Sequence, residues 1–255
     1  MRIIIASPPK SGNTWIKTLL GEIYDLAQIV SPSDDDPDLL QNYIQEGLFP
    51  ENSIMHEHYS PSAHFFEVAD SISAQVITTI RNPYDSFVSL YYYVQNFSDL
   101  FPKSHALSVL LEKPIDHPDV LEYLSGVDNG FGAHIRLAYA WLISNRKRIV
   151  RYEDLHARTF EELKWITDEI RPVEDEKIRS AIRASSVSRM RKKNSDLQRH
   201  VRSASVGDWR NHLTDVHLEI FRSVYGERIQ EMGYEVAAFS NNSSGSQSTI
   251  TSEKN

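Results

Sequence analysis

Short runs of consecutive hydrophobic residues recur along the chain, and each lies next to a segment with helical spacing. The first run, RIIIA at residues 2–6, ends at Ser7, Pro8 and Pro9. Similar runs lie at residues 75–80 (QVITTI) and 148–152 (RIVRY). Because an uninterrupted apolar run is typical of a strand buried on both faces, we predict three such strands.

Helical spacing characterises the segments between these strands. After the loop PPKSGN, apolar residues recur along one helical face, and further helices are predicted at residues 85–97 and 133–143. The first helix is predicted from Trp15, Leu19 and Ile23, and from Ile16, Leu20 and Ala27. Strands that alternate with helices predict an α/β fold with a central, mainly parallel sheet, in which ligands bind beyond the carboxyl ends of the strands.

Two kinds of segment fall outside this pattern. Residues 32–38, 98–120 and 125–134 are rich in Pro, Gly and polar residues, and we expect them to form loops that shape a substrate pocket. The last sixteen residues contain six serines and one isoleucine. Since so little apolar surface cannot offset the entropy of ordering, we expect one domain at residues 1–236 and a disordered tail at residues 237–255.

Composition narrows the function classes. The chain has 27 Lys and Arg against 35 Asp and Glu, a net charge of −8, so we expect no nucleic-acid partner and only local binding of anions. No apolar run approaches the roughly 20 residues of a membrane helix. The apolar start is too short for a secretory signal, so we expect a cytoplasmic location without membrane association. The absence of cysteine excludes disulfides, thiolate metal sites and cysteine nucleophiles.

The segment PPKSGNTW, residues 8–15, is a candidate anion-binding loop. Between a buried strand and a helix, backbone N–H groups and the helix dipole converge on an anion. Lys10 supplies charge, Gly12 permits close approach, and Ser11 and Thr14 can cap the helix or donate to a phosphate. The lysine precedes the glycine, whereas the nucleoside-triphosphate P-loop has Gly-Lys-Ser/Thr. An ordinary strand-to-helix turn is the alternative for this segment.

A second candidate anion site follows the strand at residues 75–80. Arg81 leaves the strand end, and Ser89 lies eight positions later in the next helix. A guanidinium fork and a hydroxyl in this arrangement can clamp one phosphate. Taken alone, the pair is also compatible with a surface arginine and a solvated serine.

Several motifs together resemble one family. PPKSGNTW is similar to the opening signature of the sulfotransferases that use 3′-phosphoadenosine 5′-phosphosulfate (PAPS), Pro-Lys-Ser-Gly-Thr-Thr-Trp, with Asn13 in place of the first Thr. RNPYDSFVS at residues 81–89 resembles the family's 3′-phosphate motif. VRYEDL at residues 150–155, SSVSRM at 185–190 and RSASVGDWRN at 202–211 resemble three further elements, in family order.

The resemblance implies a P-loop-like three-layer fold and transfer of a sulfuryl group from PAPS to a small-molecule acceptor, with the 3′,5′-bisphosphate PAP as product and no metal. It implies cofactor contacts for Lys10, Ser11, Gly12, Asn13, Thr14, Trp15, Arg81, Ser89, Tyr152, Ser185, Ser186, Met190, Arg202, Ser203 and Ala204. Val187 replaces the usual aromatic residue, which makes Trp15 the candidate for stacking on the base. Ser203 and Ala204 replace Lys and Gly, so we expect weaker cofactor affinity through that loop.

The same resemblance suggests catalytic residues. Lys10 fits the charge-stabilising role, and aligning the segment IMHEHYSP, residues 54–61, places His58 on the family's catalytic histidine and His56 on a lysine. Histidine titrates near neutral pH, as a general base requires. Two alternatives are a metal site that uses His56, His58 and His64, and histidines that are simply polar loop residues.

The acceptor and the oligomeric state are less sharply indicated. Aromatic residues in the expected lid regions favour a small aromatic or aliphatic alcohol; they are Tyr91, Tyr92, Tyr93, Phe97, Phe101, Phe131 and Trp141. A near-match to the family's dimer motif at Arg210, Thr214 and Glu219 carries Asp215 in place of Val, which favours a monomer or a weak homodimer. A P-loop small-molecule kinase and a nucleotide-binding pseudoenzyme are the alternative functions.

Overall fold

A parallel sheet forms the centre of the molecule. The computed structural model describes residues 1–32, 35–145, 148–185 and 205–238. Within these ranges the strands are β1 (Arg2–Ala6), β2 (Ala27–Gln28), β3 (Ser53–Glu57), β4 (Gln75–Ile80) and β5 (Ile149–Arg151). They lie in the order β2-β3-β1-β4-β5, and every neighbouring pair is parallel. All carboxyl ends therefore share one edge of the sheet, as the α/β prediction requires.

Helices pack on both faces of the sheet. In the described residues they are α1 (Asn13–Tyr24), α2 (Pro37–Gln45), α3 (Ala63–Ser71), α4 (Pro83–Asn96), α5 (Pro118–Ser125), α6 (Gly132–Ile143), α7 (Tyr152–Ala157), α8 (Thr159–Ile170), α9 (Asp175–Ala184) and α10 (Asp215–Glu231). None of them is both long enough and apolar enough to cross a bilayer.

Alternate residues of β1 enter different parts of the core. Ile3 and Ile5 pack with residues of α1, α8 and α9, whereas Ile4 and Ala6 pack with residues of α2, α3 and α6. A third cluster joins α4, α5, α6 and α10. Because β1 is buried on both faces, its continuous apolar run is explained, and the loop that follows it leaves from the centre of the sheet.

The sequence expectations hold for β1, β4 and β5, and fail at one helix end. The helical spacing predicts a first helix that includes Ala27, but α1 ends at Tyr24 and Ala27 lies in the edge strand β2. Asp25 ends the helix with a left-handed conformation, φ 54°. Neither β2 nor β3 was predicted. The expected loop at 98–120 contains two short 3₁₀ helices, Ser98–Leu100 and Ala106–Leu110, and the start of α5.

The end of the described chain is tied to the domain. The backbone N–H of Ala237 donates to the Tyr84 hydroxyl at 3.0 Å. Residues 239–255 lie outside the described residues. The domain boundary after residue 236 and the disorder of the tail therefore stay predictions.

Candidate functional site

The loop between β1 and α1 depends on a glycine. Gly12 caps α1 with φ 102°, a conformation that side chains strongly disfavour. A Cβ atom at this position would also lie 2.6 Å from Cδ2 of Tyr152. The backbone N–H groups of Trp15 and Ile16 both bond to the Gly12 carbonyl. The preceding N–H groups of the first turn have no acceptor within the helix, and together with the helix dipole they can hold an anion.

Two side chains of the loop point into a buried polar network. Ser11 Oγ lies 2.7 Å from both the Pro8 carbonyl and Asn13 Oδ1, and 2.9 Å from Thr79 Oγ1. Thr79 in turn donates to Asn13 Oδ1 at 2.9 Å. The side chains of Ser11 and Asn13 are buried in this network and therefore fix the shape of the loop. Thr14 and Trp15 follow in the first turn of α1, and both are partly exposed.

Lys10 is the cation of the loop. Its backbone is left-handed, with φ 63°, and its Nζ lies 3.9 Å from the centre of the Tyr93 ring. Burial of the ammonium group, with a contribution from Arg81, lowers the pKa of Lys10 to about 7. An anion beside Lys10 would favour its charged form, because opposite charges stabilise each other most where water is excluded.

Arg81 bridges the loop and Ser205. Its Nη1 donates to the Lys10 carbonyl at 3.4 Å and its Nη2 to the Ser205 carbonyl at 3.1 Å. The guanidinium carbon lies 4.3 Å from the centre of the Tyr152 ring. Nε is buried without a hydrogen-bond partner among the described residues. A bound phosphate would satisfy this donor. Ser89, predicted as its companion, lies further along α4 and is partly exposed.

Two carboxylates near Arg81 were not assigned a role from the sequence. Asp85 is buried in the first turn of α4 and accepts the N–H groups of Gly207 and Trp209, at 2.7 and 3.0 Å. Glu153 accepts the N–H of Asn82 at 2.8 Å and the hydroxyl of Tyr234 at 3.1 Å. Asp85 lies in the motif RNPYDSFVS and Glu153 in the motif VRYEDL. Their positions in these motifs were the only indication in the sequence that they belong to the site.

Aromatic rings line the site next to Gly12. Trp15 and Tyr152 meet edge to face with ring centres 5.9 Å apart. His156, which the sequence did not single out, lies 6.3 Å from Trp15 and 6.1 Å from Tyr152. The placement of Trp15 beside the loop is compatible with stacking on a base.

His58 lies at the same edge of the sheet, immediately after β3. Its Nδ1 is 2.8 Å from the Ser7 carbonyl, and its backbone N–H donates to Glu57 Oε1 at 2.8 Å. A carbonyl only accepts, so Nδ1 carries the proton, and in the neutral ring Nε2 is an acceptor. The tautomer that a general base needs is therefore set by the chain itself.

His64, the third histidine of the metal alternative, has other partners. His64 lies on α3, and its ring faces Asp38 at 2.8 Å and Glu67 at 3.7 Å. Within the described part of the chain, no group of three or more His, Cys, Asp or Glu residues is arranged to hold a metal ion.

The predicted acceptor residues divide into two groups. Five of the seven aromatic residues are core, with exposures of 8% or less; they are Tyr91, Phe97, Phe101, Phe131 and Trp141. Tyr92 and Tyr93 are partly exposed.

A second histidine, His134, lies near His58. Burial, and then the charge of His58, lower the pKa of His134 to about 4, so His134 is neutral.

Part of the predicted site lies outside the described residues: Ser186, Met190, Arg202, Ser203 and Ala204. Ser185 is described at the end of α9, where its Oγ is buried and has no partner among the described atoms.

In the near-match to the dimer motif, Thr214 forms a capping box with His217 at the start of α10.

Comparisons with known proteins agree with these motifs. A family model described as "Sulfotransferase domain" matches residues 1–233. Cytosolic sulfotransferase 14 of Arabidopsis thaliana is 27% identical over 177 residues, which are 60% of this chain and 48% of that protein. Cytosolic sulfotransferase 12 of the same plant is 26% identical over 264 residues, covering 91% of this chain and 78% of that protein. A solved mouse sulfotransferase complexed with PAP has a TM-score of 0.66 at 21% identity, covering 90% of this chain and 84% of its own. This last likeness establishes the fold.

Proposed function

Because the chain belongs to the sulfotransferase family, we propose that it transfers the sulfuryl group of PAPS to a small-molecule hydroxyl or amine, with Lys10 and His58 as catalytic residues. The donor site fits this assignment. It offers a helix N-terminus, a glycine that lets the backbone approach a phosphate, and a buried Arg81 Nε that has no partner among the described residues. PAP is the molecule bound in the mouse structure. PAP is also the product expected here, once PAPS has transferred its sulfuryl group.

Each catalytic residue has one task. PAPS, when bound, supplies the sulfuryl group and PAP as the leaving group. His58 Nε2 takes the proton of the acceptor hydroxyl, whose oxygen forms a bond to sulfur as the bond from sulfur to the phosphate oxygen breaks. Lys10 stabilises the negative charge that develops on that phosphate oxygen. The proton remains on His58 and then passes to solvent.

The observation that carries the proposal is the bond from His58 Nδ1 to the Ser7 carbonyl, 2.8 Å. Ser7 directly follows β1, and His58 directly follows β3, which pairs with β1. The base and the anion loop are thus joined by one hydrogen bond at the carboxyl ends of neighbouring strands.

The acceptor, the location and the oligomeric state are further parts of the proposal. The partly exposed rings of Tyr92 and Tyr93 favour a small aromatic or aliphatic alcohol as acceptor. Relatives that are named cytosolic support a cytoplasmic protein. Use of Thr214 as a helix cap and Asp215 at the central position of the dimer motif favour a monomer or a weak homodimer.

The test is transfer of radiolabelled sulfate from PAPS to a panel of phenols, aliphatic alcohols and amines. His58→Ala should lower kcat at least a hundredfold and change the calorimetric Kd of PAP less than twofold, because His58 acts on the acceptor. His64→Ala is the matched control, since His64 is exposed and bonded to Asp38. Near-wild-type turnover in His58→Ala would refute the base. PAP binding without transfer to any acceptor would favour the pseudoenzyme, and preference for ATP with Mg²⁺ would favour the kinase.

A further inference from the structure

Residues 205–209 are held by three hydrogen bonds, one from Arg81 and two to Asp85 in the first turn of α4. Arg81 donates Nη2 to the Ser205 carbonyl at 3.1 Å. Asp85 uses one carboxylate oxygen for the Gly207 N–H and the other for the Trp209 N–H, at 2.7 and 3.0 Å. Asp85 is only 2% exposed. We call Asp85, Gly207 and Trp209 with these two bonds the Asp85 clamp.

Neighbouring contacts hold the clamp in one arrangement. The Trp209 ring stacks on Tyr84, the residue before Asp85, with ring centres 4.8 Å apart. Gly207 adopts φ 80°, which turns its N–H and that of Trp209 toward the same carboxylate. Because a buried carboxylate is costly unless both oxygens are bonded, loss of either N–H bond would favour a rearrangement of the segment.

We propose that the Asp85 clamp orients the Arg81 guanidinium for the 3′-phosphate of the donor, so that Asp85 is a positioning residue for donor binding. This inference rests on the proposed function, in which Arg81 contacts that phosphate. Few residues connect the clamp with Arg81. The clamp fixes residues 207 and 209 and thereby holds the nearby Ser205 carbonyl, which accepts a hydrogen bond from Arg81 Nη2. Nη1 donates to the Lys10 carbonyl, and the buried Nε, which no atom of the described part of the chain accepts from, is left for a ligand.

The direction in which neutralising Asp85 changes PAP affinity distinguishes a positioning role from a purely electrostatic one. Asp85 carries a negative charge close to the site of a polyanion, so its neutralisation by itself would tighten PAP binding. Loss of orientation would weaken PAP binding instead, and only for ligands that have a 3′-phosphate. A merely structural role would lower stability and affect all nucleotides alike.

The experiment uses Asp85→Asn and calorimetric titration with PAP and with 5′-AMP, which lacks the 3′-phosphate. An asparagine amide nitrogen cannot accept, so one clamp bond is lost while side-chain size is kept. We expect the Kd of PAP to rise at least tenfold, the Kd of 5′-AMP to change less than twofold, and kcat at saturating PAPS to change less than threefold. Asp208→Asn is the matched control, because Asp208 lies in the same segment but accepts from Asn211 and His212. It should leave both Kd values within twofold.

Each other outcome has a defined meaning. Unchanged or tighter PAP binding in Asp85→Asn, or equal weakening of PAP and 5′-AMP, would overturn the proposal. If the wild-type protein does not prefer PAP over 5′-AMP, the donor assignment itself fails, which is a separate result. Should Asp85→Asn not fold, hydrogen exchange in the wild-type protein decides the matter. PAP should slow exchange at residues 205–211 as well as at 8–15, and slowing at 8–15 alone would overturn the proposal.

Discussion

Binding of PAP should make Lys10 take up a proton, and this prediction tests the charge of the anion loop directly. Burial and Arg81 lower the pKa of Lys10 to about 7 in the free protein. The bound polyanion stabilises the ammonium form and raises that pKa. From a pKa of about 7, roughly half of the Lys10 side chains are charged at pH 7 and about a tenth at pH 8. PAP binding at pH 8 should therefore take up about 0.9 proton per protein.

The affinity follows from the same equilibrium. Since the complex binds more protons than the free protein, affinity falls as pH rises through the free pKa of Lys10. Between pH 7 and pH 8.5 the Kd of PAP should rise about 15-fold. This window lies above the second phosphate pKa of about 6 and the ordinary histidine pKa of about 6.5, so Lys10 dominates.

The assay is calorimetric titration with PAP in buffers of different ionisation enthalpy, which gives the number of protons taken up. Lys10→Arg keeps the charge but does not titrate, so it should show almost no uptake and less than a twofold change in Kd across the window. Lys17→Arg is the control, because burial also lowers the pKa of Lys17 but this residue lies further along α1. Equal proton uptake by the wild-type protein and Lys10→Arg would refute the reasoning.

Two further predictions concern residues that hold the site in place. Gly12→Ala should abolish measurable PAP binding and lower the Tm, because it strains a backbone with φ 102° and places Cβ 2.6 Å from Tyr152; the strain costs about 1–3 kcal/mol. Gly47→Ala is the control for backbone strain in thermal unfolding, because Gly47 also has a positive φ but an added Cβ there would have no atom within 4 Å. Retained PAP affinity in Gly12→Ala would contradict the predicted clash. Trp141→Phe removes the bond from Nε1 to the Tyr59 carbonyl, 2.8 Å, and should cost about 1–3 kcal/mol in urea unfolding. Because Tyr59 follows His58, kcat should fall while the Kd of PAP stays unchanged; an unaltered kcat would show that this bond does not support the base.

Much of the sheet was predictable because its central strands are apolar on both faces. After their polar first residues, Arg2 and Gln75, β1 and β4 contain only two polar residues, the small, hydrogen-bonded Thr78 and Thr79. β3 was missed because its second half, His56 and Glu57, is polar and only partly buried. The end of α1 was missed because Asp25, unlike glycine, gives no clear signal of a left-handed cap.

The site was predictable in its positions but less so in the use of each side chain. The order of the motifs predicts Lys10, Arg81, Tyr152 and Gly12 at one site, and the structure brings these residues together around one loop. Their roles in donor binding stay predictions. The order of the motifs could not show that Ser11 and Asn13 turn inward to Thr79, since that partner is more than sixty residues away in sequence. Asp85 was overlooked for the same reason: its partners follow it by 122 and 124 positions.

The bond between Ser7 and His58 makes the position of the proposed base depend on the alignment of two strands. β1 and β3 pair with Ala6 opposite Glu57, so the next residue of each strand emerges at the same level. A shift of one residue between these strands would move His58 about 3.3 Å and turn it to the other face of the sheet. The register of hydrophobic residues far from the site, Ile4 opposite Met55 and Ile3 opposite Ile54, therefore sets where the proposed base lies relative to the anion loop.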